Sequence, residues 1–338
     1  PACVVPGDGA SYLWHSVGPA LVISPAEPSS FWEYLARRGG CWMRSNIVNE
    51  GRDLQWVVDA LSTGSAVLVT DGSYDKDNAP SVSGAGWLIH CTVTKRRLTG
   101  SFYETGPFAG SYRAECLGLL ALHAFLHALQ DFYGVKIQDA KICCDNQGAL
   151  FKTQGLNQRV PVGTKNADVM RAVCSFKGAI SAQLDYCWVE SHQDRIKPWE
   201  QLTLEQQLNT MCDALAKGGV ALGRRSNPRD PASQRLPGEG ALVVIGGVKQ
   251  TSDVAKAARF ELGLVEAEEF FVKELHWTRS TFRSVGWKEL DAALEPKGNQ
   301  YKLWLAKQSS GFCGTQAMVR RWDKERADKC PNCGNRED

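Results

Sequence analysis

The chain has 338 residues, of which 43% are hydrophobic, and it carries 39 Lys and Arg against 37 Asp and Glu. This length allows about two domains, and this composition excludes an intrinsically disordered chain. A net charge of +2 is too small to indicate a polyanionic partner, so any nucleic-acid surface must be local. The twelve cysteines are scattered, which excludes the dense disulfide framework of a small secreted domain and indicates reduced thiols.

Membrane and export signals are absent from this sequence. No apolar run reaches the roughly 18 residues of a membrane span, and the N-terminus lacks a basic-then-apolar signal pattern. We therefore expect an intracellular protein, nuclear or cytoplasmic, with no membrane partner. The chain begins at Pro1 and ends shortly after "CPNCG", so we expect a piece of a longer protein.

The N-terminal part of the sequence predicts a short extension followed by a strand meander. Residues 1–64 mix Gly, Pro and Ser with aromatic residues and predict helices only near 30–38 and 53–62. From residue 65 the pattern is regular. It predicts one strand ending at Thr70 and two more over 84–93 and 96–105, each bounded by turn residues.

The next segment predicts alternating helices and strands. A long helix is expected over 111–134, with Ser111 as its N-cap and Gly134 at its end. A buried strand over 140–145 ends on Asp145, and Asn146 is placed to cap a short helix over 146–154. A helix over 165–178, a strand over 182–191 and a helix over 204–219 follow. This order predicts an α/β fold with a mixed sheet and helices packed against it.

Composition changes after residue 222. Residues 223–240 are rich in Gly, Pro, Arg and Ser and lack periodicity, which predicts a linker. Residues 241–338 are predicted to be mainly helical, with helices over 252–277, 286–295, 299–308 and 315–329. The predicted organisation is an extension over 1–64, a domain over 65–222, the linker, and this helical region.

Four acidic side chains stand where a sheet edge and two helices would bring them together. Asp71 and Asp145 each end a predicted strand, and Glu115 and Asp213 lie beside apolar residues in predicted helices. Clustered carboxylates raise one another's pKa values unless a divalent cation holds them ionised. The alternative is four unrelated surface or capping acids, since an Asp-Gly pair such as Asp71-Gly72 ordinarily marks a turn.

The donor set indicates which ion would bind. Oxygen ligands without a histidine pair favour Mg²⁺, with Mn²⁺ as the alternative, over zinc. Carboxylate clusters of this kind hydrolyse phosphodiesters with two metal ions about 4 Å apart. No covalent nucleophile is required for that reaction.

Five short motifs carry a family resemblance. The words "TDGS", "YRAECLGLLAL", "CCDNQGAL", "WVESHQD" and "NTMCDALAK" resemble, in order and spacing, the ribonuclease H domain over about 150 of the 338 residues. The resemblance implies a ribonuclease H-like fold with a mixed five-stranded sheet flanked by helices. It also implies hydrolysis of the RNA strand of RNA/DNA hybrids. By this resemblance Asp71, Glu115, Asp145 and Asp213 are the catalytic metal ligands, and His192 is a loop histidine that assists product release.

Further residues beside these ligands are candidates for substrate contacts. Gly72, Ser73 and Asn146 adjoin Asp71 or Asp145, and Gly72 is expected to keep the rim open for metal and phosphate. The neighbouring Cys143 and Cys144 are predicted to be strand core, and Trp188 is predicted to pack. The sequence departs from the family in its loop between His192 and Asp213, which is longer than in the compact bacterial enzymes. It also has Thr210 where an acidic residue often stands.

The end of the chain resembles a second family segment more loosely. It is similar to the tail that follows the ribonuclease H domain in eukaryotic non-LTR retroelement reverse transcriptases. Cys330 and Cys333 have the spacing of zinc ligands, but two thiolates do not complete a structural Zn²⁺ site. The resemblance implies a reverse transcriptase polymerase region as a partner. The alternative function is a non-catalytic nucleic-acid-binding module from a decayed or host-adopted retroelement.

A basic, aromatic stretch leaves two interpretations open. Residues 271–329 carry twelve Lys or Arg against seven Asp or Glu, interleaved with aromatic residues, which are Trp277, Trp287, Tyr301, Trp304 and Trp322. Cations and rings in this arrangement are typical of a nucleic-acid surface. Helices with aromatic cores and solvated basic faces would produce the same pattern.

Overall fold

The computed structural model describes most of the chain. The described residues are 2–6 and 12–16, for which only the backbone is considered, and 27–37, 43, 46–51, 53–138, 140–155, 160, 161, 163–226, 235–239 and 242–309, followed by 319, 320, 323–325, 327, 329 and 333–335. They belong to two compact units, Pro1–Val254 and Ala255–Asp338. Cys330 and most of the helix predicted over 315–329 lie outside the described residues.

Strands and helices alternate along the first unit, and helices form most of the second. The strands are β1 (Ala2–Pro6), β2 (Tyr12–Ser16), β3 (Asn46–Asn49), β4 (Ala66–Tyr74), β5 (Val82–Cys91), β6 (Arg97–Thr105), β7 (Ala140–Cys144), β8 (Leu184–Trp188), β9 (Val244–Ile245) and β10 (Val248–Lys249). The helices are α1 (Phe31–Arg37), α2 (Gln55–Ser62), α3 (Ser111–Tyr133), α4 (Gln147–Gly155), α5 (Ala167–Ala179), α6 (Leu204–Arg224), α7 (Val254–Glu274), α8 (Arg279–Arg283), α9 (Trp287–Leu294) and α10 (Asn299–Ser309).

The first unit is organised around a six-stranded mixed sheet with the order β3-β6-β5-β4-β7-β8. Strands β3, β6, β5 and β4 pair antiparallel, and β4, β7 and β8 pair parallel. The five strands from β4 to β8 are those that the sequence predicts, and the short edge strand β3 is added from the N-terminal extension. The structure confirms the predicted α/β class, a mixed sheet flanked by helices with a mainly helical remainder, but the sheet has six strands where the resemblance implied five.

Strand β4 runs further than its apolar run predicts. Its parallel pairing with β7 stops where Thr70 faces Cys144, but its antiparallel pairing with β5 continues until Tyr74 faces Ser83. Asp71 therefore lies inside an antiparallel ladder and immediately beyond a parallel one. The predicted strand end at Thr70 marks the end of the parallel pairing alone.

The two faces of the sheet support different layers. Successive side chains of a strand point to opposite faces. Leu68 accordingly joins the larger core formed with α1, α2, α3 and α5, whereas Val69 joins a smaller core with Leu208 and Cys212 of α6. Helix α6 reaches the sheet closely because β5 is bare there: a Cβ on Gly84 would lie 2.3 Å from the Ala216 carbonyl oxygen.

Helix ends agree with the predicted caps at Gly134 and Asn146 and differ at Ser111, and the structure adds a capping box at Thr203 that was not predicted. Gly134 ends α3 in the left-handed conformation, with φ 61°. The Asn146 side chain accepts the Ala149 N–H at 3.0 Å and so caps α4 as predicted. Thr203 and Gln206 form a capping box at the start of α6, with hydrogen bonds of 3.1 and 3.3 Å. Ser111, the predicted N-cap of α3, is instead its first helical residue, after Gly110.

Residues beyond α6 pack onto the first unit. Leu236, at the end of the predicted linker, is buried, and the Asp168 N–H donates to the Thr251 carbonyl at 3.3 Å. Lys249 is buried and pairs with Asp168 at 3.3 Å and with Glu239 at 3.0 Å. Residues 235–251 are thus tied to the start of α5, while the predicted domain boundaries stay predictions.

The second unit contains α8 to α10 and nearly all of α7. The rings of Phe271, Trp277, Phe282 and Trp287 pack together, with centroids 4.6 to 5.7 Å apart. Phe271 contacts the other three rings, and Phe282 is buried. Among the described helices, none is both long and apolar enough to cross a membrane.

Candidate active site

The first pair of predicted ligands meets at one edge of the sheet. Asp71 and Asp145 each follow a residue of the last parallel pair, Thr70 and Cys144, so both stand where the parallel pairing of β4 and β7 ends, although β4 itself continues to Tyr74. Asp71 is 3% exposed. The main-chain carbonyl of Asp145 accepts the Trp188 indole N–H at 2.9 Å, which links this residue to the neighbouring strand β8.

Glu115 reaches the same place from α3, because β4 and α3 approach closely at Gly72. A Cβ on Gly72 would lie 2.3 Å from the Glu115 amide nitrogen. The Gly72 N–H also lies towards the carboxyl groups of Asp71 and Glu115 and lowers the pKa of each. The bare position is thus required by packing; that it also keeps the rim open for metal and phosphate stays a prediction.

Asp213 completes the cluster from α6. Its negative charge raises the pKa values of Asp71 and Asp145, so it lies close to both. It also forms an ion pair with Lys217, one turn further along the helix. The structure thus brings together all four predicted carboxylates, from β4, α3, the end of β7 and α6.

Burial and mutual repulsion disfavour ionisation of this cluster. Burial, followed by the charges of Asp145 and Asp213, raises the pKa of Asp71 from 3.8 to about 8. Burial and the charges of Asp71 and Asp145 raise the pKa of Glu115 well above its ordinary value. Burial also raises the pKa of Asp145. These carboxyl groups therefore need a bound cation to be ionised together at neutral pH.

Cys144, which the sequence analysis predicts to be a core residue, also places its thiol beside the carboxylate cluster. Its Sγ donates to Glu115 Oε2 at 3.7 Å, and ligand atoms of Glu115, Cys144 and Asp145 lie within 4.8 Å of one another. Burial raises the pKa of Cys144 well above that of a free thiol, so the sulfur stays protonated. The donors for a metal ion are then carboxylate oxygens, which fit Mg²⁺ or Mn²⁺.

His192 lies exposed at the start of a short 3-10 turn, Gln193–Arg195, in the left-handed conformation with φ 52°. Its charge acts to lower the pKa of Asp145, against the larger effect of burial. The histidine therefore lies close to the predicted ligand Asp145. Its role in product release stays a prediction.

Asn209 is a candidate that the sequence analysis missed. It is buried on α6, and its side-chain amide lies towards Asp145, where it opposes the effect of burial on that carboxyl's pKa. Helical spacing could have found it, because Asn209 precedes Asp213 by four residues and shares its face of α6. Trp188, which was predicted to pack, is 48% exposed because β8 is an edge strand, and its indole N–H is bonded to the Asp145 carbonyl.

The remaining candidates are Ser73, Asn146 and the two cysteines of the C-terminal motif. Ser73 lies on β4 two residues after Asp71 and is half-buried. The amide oxygen of Asn146 is engaged in the α4 cap, which leaves its amide nitrogen for a ligand. Cys333 is exposed, and within the described part of the chain it joins no group of metal-ligating side chains. Cys330 lies outside the described residues, so the zinc site stays a prediction.

Comparisons with known proteins find similarity to solved structures alone. No protein-family model matches the chain, and no curated protein matches it. The N-terminal RNase H domain of a Mycobacterium tuberculosis protein, solved as a maltose-binding-protein fusion, is 16% identical, with a TM-score of 0.33, over 46% of this chain and 94% of that chain. LC11-RNase H1, from compost and in complex with an RNA/DNA hybrid, is 16% identical, with a TM-score of 0.34, over 47% of this chain and 98% of that chain.

A viral structure is also similar to part of the chain. The foamy viral protease-reverse transcriptase in complex with an RNA/DNA hybrid is 13% identical, with a TM-score of 0.32, over 48% of this chain and 21% of that chain. The solved structures to which this chain is similar are thus RNase H domains, one of them within a viral reverse transcriptase.

Proposed function

We propose that the first unit is a divalent-metal-dependent ribonuclease H that hydrolyses the RNA strand of RNA/DNA hybrids. The observation that carries the proposal is the convergence of Asp71, Glu115, Asp145 and Asp213 at one sheet edge, where burial and mutual repulsion raise the pKa values of the first three. A structural role does not need several carboxyl groups held where ionisation is costly. A divalent cation provides the missing positive charge.

The four carboxylates would hold two Mg²⁺ ions, with Mn²⁺ as a substitute. When bound, such ions activate a water molecule and stabilise the leaving 3′ oxygen, so that the products carry a 5′ phosphate and a 3′ hydroxyl. Asn209 and the Trp188 indole orient Asp145. His192 lies on the exposed side, where it can assist product release.

Substrate selection would depend on duplex shape. Proteins distinguish RNA from DNA through contacts to 2′ hydroxyl groups across a wide, shallow minor groove. Gly72, Ser73 and Asn146 adjoin the metal ligands and are our candidates for strand contacts. The context that we propose is a eukaryotic non-LTR retroelement, with a reverse transcriptase polymerase region as partner and an intracellular site of action, nuclear or cytoplasmic.

The test uses the full chain and a labelled RNA/DNA hybrid with Mg²⁺. We expect the wild type to cut the RNA strand and Asp145→Asn to reduce the rate by at least a hundredfold. Asp185→Asn, an exposed aspartate on the adjacent edge strand, is the matched control and should retain the wild-type rate. EDTA should abolish cleavage, and Mg²⁺ or Mn²⁺ should restore it.

Two outcomes would replace the proposal. If the wild type binds the hybrid but cuts no faster than Asp145→Asn, the chain is a non-catalytic nucleic-acid-binding module, as expected for a decayed or host-adopted retroelement. If it cuts double-stranded DNA as rapidly as the hybrid, the fold serves DNA transfer or resolution instead.

A further inference from the structure

Two free thiols of the first unit face each other across the last two strands of the sheet, and neither belongs to the carboxylate cluster. Cys143 on β7 is the partner of Cys187 on β8 in the parallel register. Strand β8 stands at the edge of the sheet, so among the described strands only β7 pairs with it. A bond between the two sulfurs would therefore join the edge strand to its one neighbour.

Both thiols lie on the face of the sheet that α6 covers. Cys143 belongs to the smaller core, and Cys187 packs against that core. Burial, followed by the charge of Cys187, raises the pKa of Cys143 to about 12, so the two side chains lie close together. Cys144 differs from them, because it belongs to the larger core on the opposite face and lies towards Glu115.

The two thiols differ in their access to solvent. Cys143 is completely buried, whereas Cys187 is half-buried on the edge strand. A small disulfide in solution can therefore react with Cys187 first, and Cys143 is placed to complete the exchange within the chain. The third cysteine of the smaller core, Cys212, lies on α6, is completely buried, and donates its S–H to the Val69 carbonyl at 3.4 Å. Cys187 is accordingly the partner that the structure favours for Cys143.

The spacing of parallel strands permits a disulfide here but makes it a strained one. Neighbouring strands lie about 4.8 Å apart, which is within the range of about 4.4–6.8 Å between the Cα atoms of a disulfide. The Cβ atoms of a disulfide are about 3.8 Å apart, so the two strands would have to approach each other by about 1 Å. Strain of this kind makes a disulfide easier to reduce, which is a property of labile and regulatory disulfides.

Both strands lead directly from these thiols to the candidate active site. Asp145 follows Cys143 by two residues, and Trp188 follows Cys187 by one. The Trp188 indole N–H donates to the Asp145 carbonyl at 2.9 Å, so the two strands are linked again at this point. An approach of the strands by about 1 Å at the thiols therefore moves Asp145 relative to the other carboxylates.

We propose that Cys143 and Cys187 form a reversible disulfide with oxidised glutathione as the oxidant, and that this disulfide displaces Asp145. The Cys187 thiolate attacks one sulfur of oxidised glutathione and displaces a glutathione thiolate, which takes up the proton that Cys187 lost. Cys143 then loses its proton, and its sulfur attacks the Cys187 sulfur and displaces the second glutathione thiolate, which takes up that proton. Two protein thiols are oxidised to one disulfide, and one glutathione disulfide is reduced to two thiols. The effect on hybrid cleavage rests on the proposed function, whereas the disulfide does not.

The experiment first maps the disulfide in the full chain, without metal or hybrid. The chain is incubated with oxidised glutathione, the remaining thiols are blocked with N-ethylmaleimide, and tryptic peptides are analysed by mass spectrometry. We expect a link between peptides 142–152 and 178–195 that an excess of reduced glutathione removes. The link should be absent from Cys187→Ser and Cys143→Ala and retained in Cys144→Ser, the control for the other thiol of peptide 142–152. A link that persists in Cys143→Ala, a bond from Cys143 to Cys212, or a glutathione adduct that stays on Cys187 overturns the proposal.

Two further measurements test the displacement of Asp145. Oxidation should slow hybrid cleavage by the wild type about tenfold or more and leave the rate of Cys187→Ser unchanged. The indole N–H resonance of Trp188, assigned by its loss in Trp188→Phe, should shift on oxidation of the wild type and not of Cys187→Ser. An unchanged resonance, or equal cleavage rates before and after oxidation, overturns the displacement. A reduced wild type that cuts no hybrid refutes the proposed function instead, and the peptide link and the resonance then decide this proposal.

Discussion

Replacing Gly72 by alanine tests the closest contact of the candidate active site. A Cβ at this position would lie 2.3 Å from the Glu115 nitrogen and 2.5 Å from the Ala114 carbonyl carbon, whereas ordinary contact begins at 3.4 Å. Both neighbours are backbone atoms and cannot rotate away. Strand β4 and helix α3 must therefore separate by about 1.1 Å, and Glu115 moves with its helix.

The size of the effect follows from that displacement. Inserting a methyl group into a closely packed contact costs about 1–3 kcal/mol. At about 2–4 °C per kcal/mol for a domain of this size, the melting temperature should fall by about 2–12 °C. A misplacement of about 1 Å at a catalytic group can lower the rate about a hundredfold. We expect Gly72→Ala to fold and to cut the hybrid at least tenfold more slowly.

The assay combines hybrid cleavage at saturating Mg²⁺ with thermal unfolding. Gly148→Ala is the matched control, because it lies on α4 near Asp145 and its Cβ would meet no atom closer than 3.4 Å. That variant should keep both the rate and the melting temperature. Wild-type rate and stability in Gly72→Ala would refute the close approach of β4 and α3 and, with it, the proposed position of Glu115.

Three further predictions concern charge. The pKa of Asp71 is raised from 3.8 to about 8 in the folded state, so the metal-free protein should lose stability as the pH rises from about 4 to 8. The increase in melting temperature on adding Mg²⁺ should then be larger at pH 7.5 than at pH 5.5. Equal increases at the two pH values would contradict this linkage. Lys249→Met should lower the free energy of unfolding by about 3 kcal/mol, because it leaves the buried Glu239 without its cation. In urea titrations, Lys249→Met/Glu239→Gln should recover part of this loss. Asn209→Ala should weaken Mg²⁺ binding about tenfold, because the amide no longer orients Asp145. Calorimetry measures this affinity, and an unchanged value would mean that the contact between Asn209 and Asp145 is dispensable.

The positions of the acidic residues were accessible from sequence because local rules determine them. An apolar run that stops on an aspartate marks the end of parallel pairing in β4 and the end of strand β7, and Asp71 and Asp145 meet because these strands are parallel neighbours. Glu115 and Asp213 stand beside apolar residues at helical spacing, which directs them towards the sheet. These patterns depend on residues close together in the chain.

Other features depend on contacts between distant segments, which local patterns do not contain. Asn209 is an ordinary helix residue until Asp145 is placed beside it. Lys249 would be assigned to the surface by its type, and its burial is explained by Glu239 and Asp168, ten and 81 positions away. The predicted linker is another example. The Gly and Pro content of residues 223–240 indicates a linker, but it does not indicate that Leu236 is buried.

The capping box at Thr203 makes the position of α6, and so of the candidate active site, less dependent on the length of the loop that precedes the helix. Helix α6 begins with its own hydrogen bonds, and Gly84 and Gly86 fix how closely it lies against β5. Neither of these features involves the exposed residues 194–198 of the loop, whereas the end of the loop is held to the helix by Gln207 Nε2, which donates to the Trp199 and Leu202 carbonyls at 3.0 and 3.3 Å. Insertions, deletions or grafted sequences within residues 194–198 should therefore leave Asp213 in place, so this part of the loop can change in length or sequence independently of the carboxylate cluster.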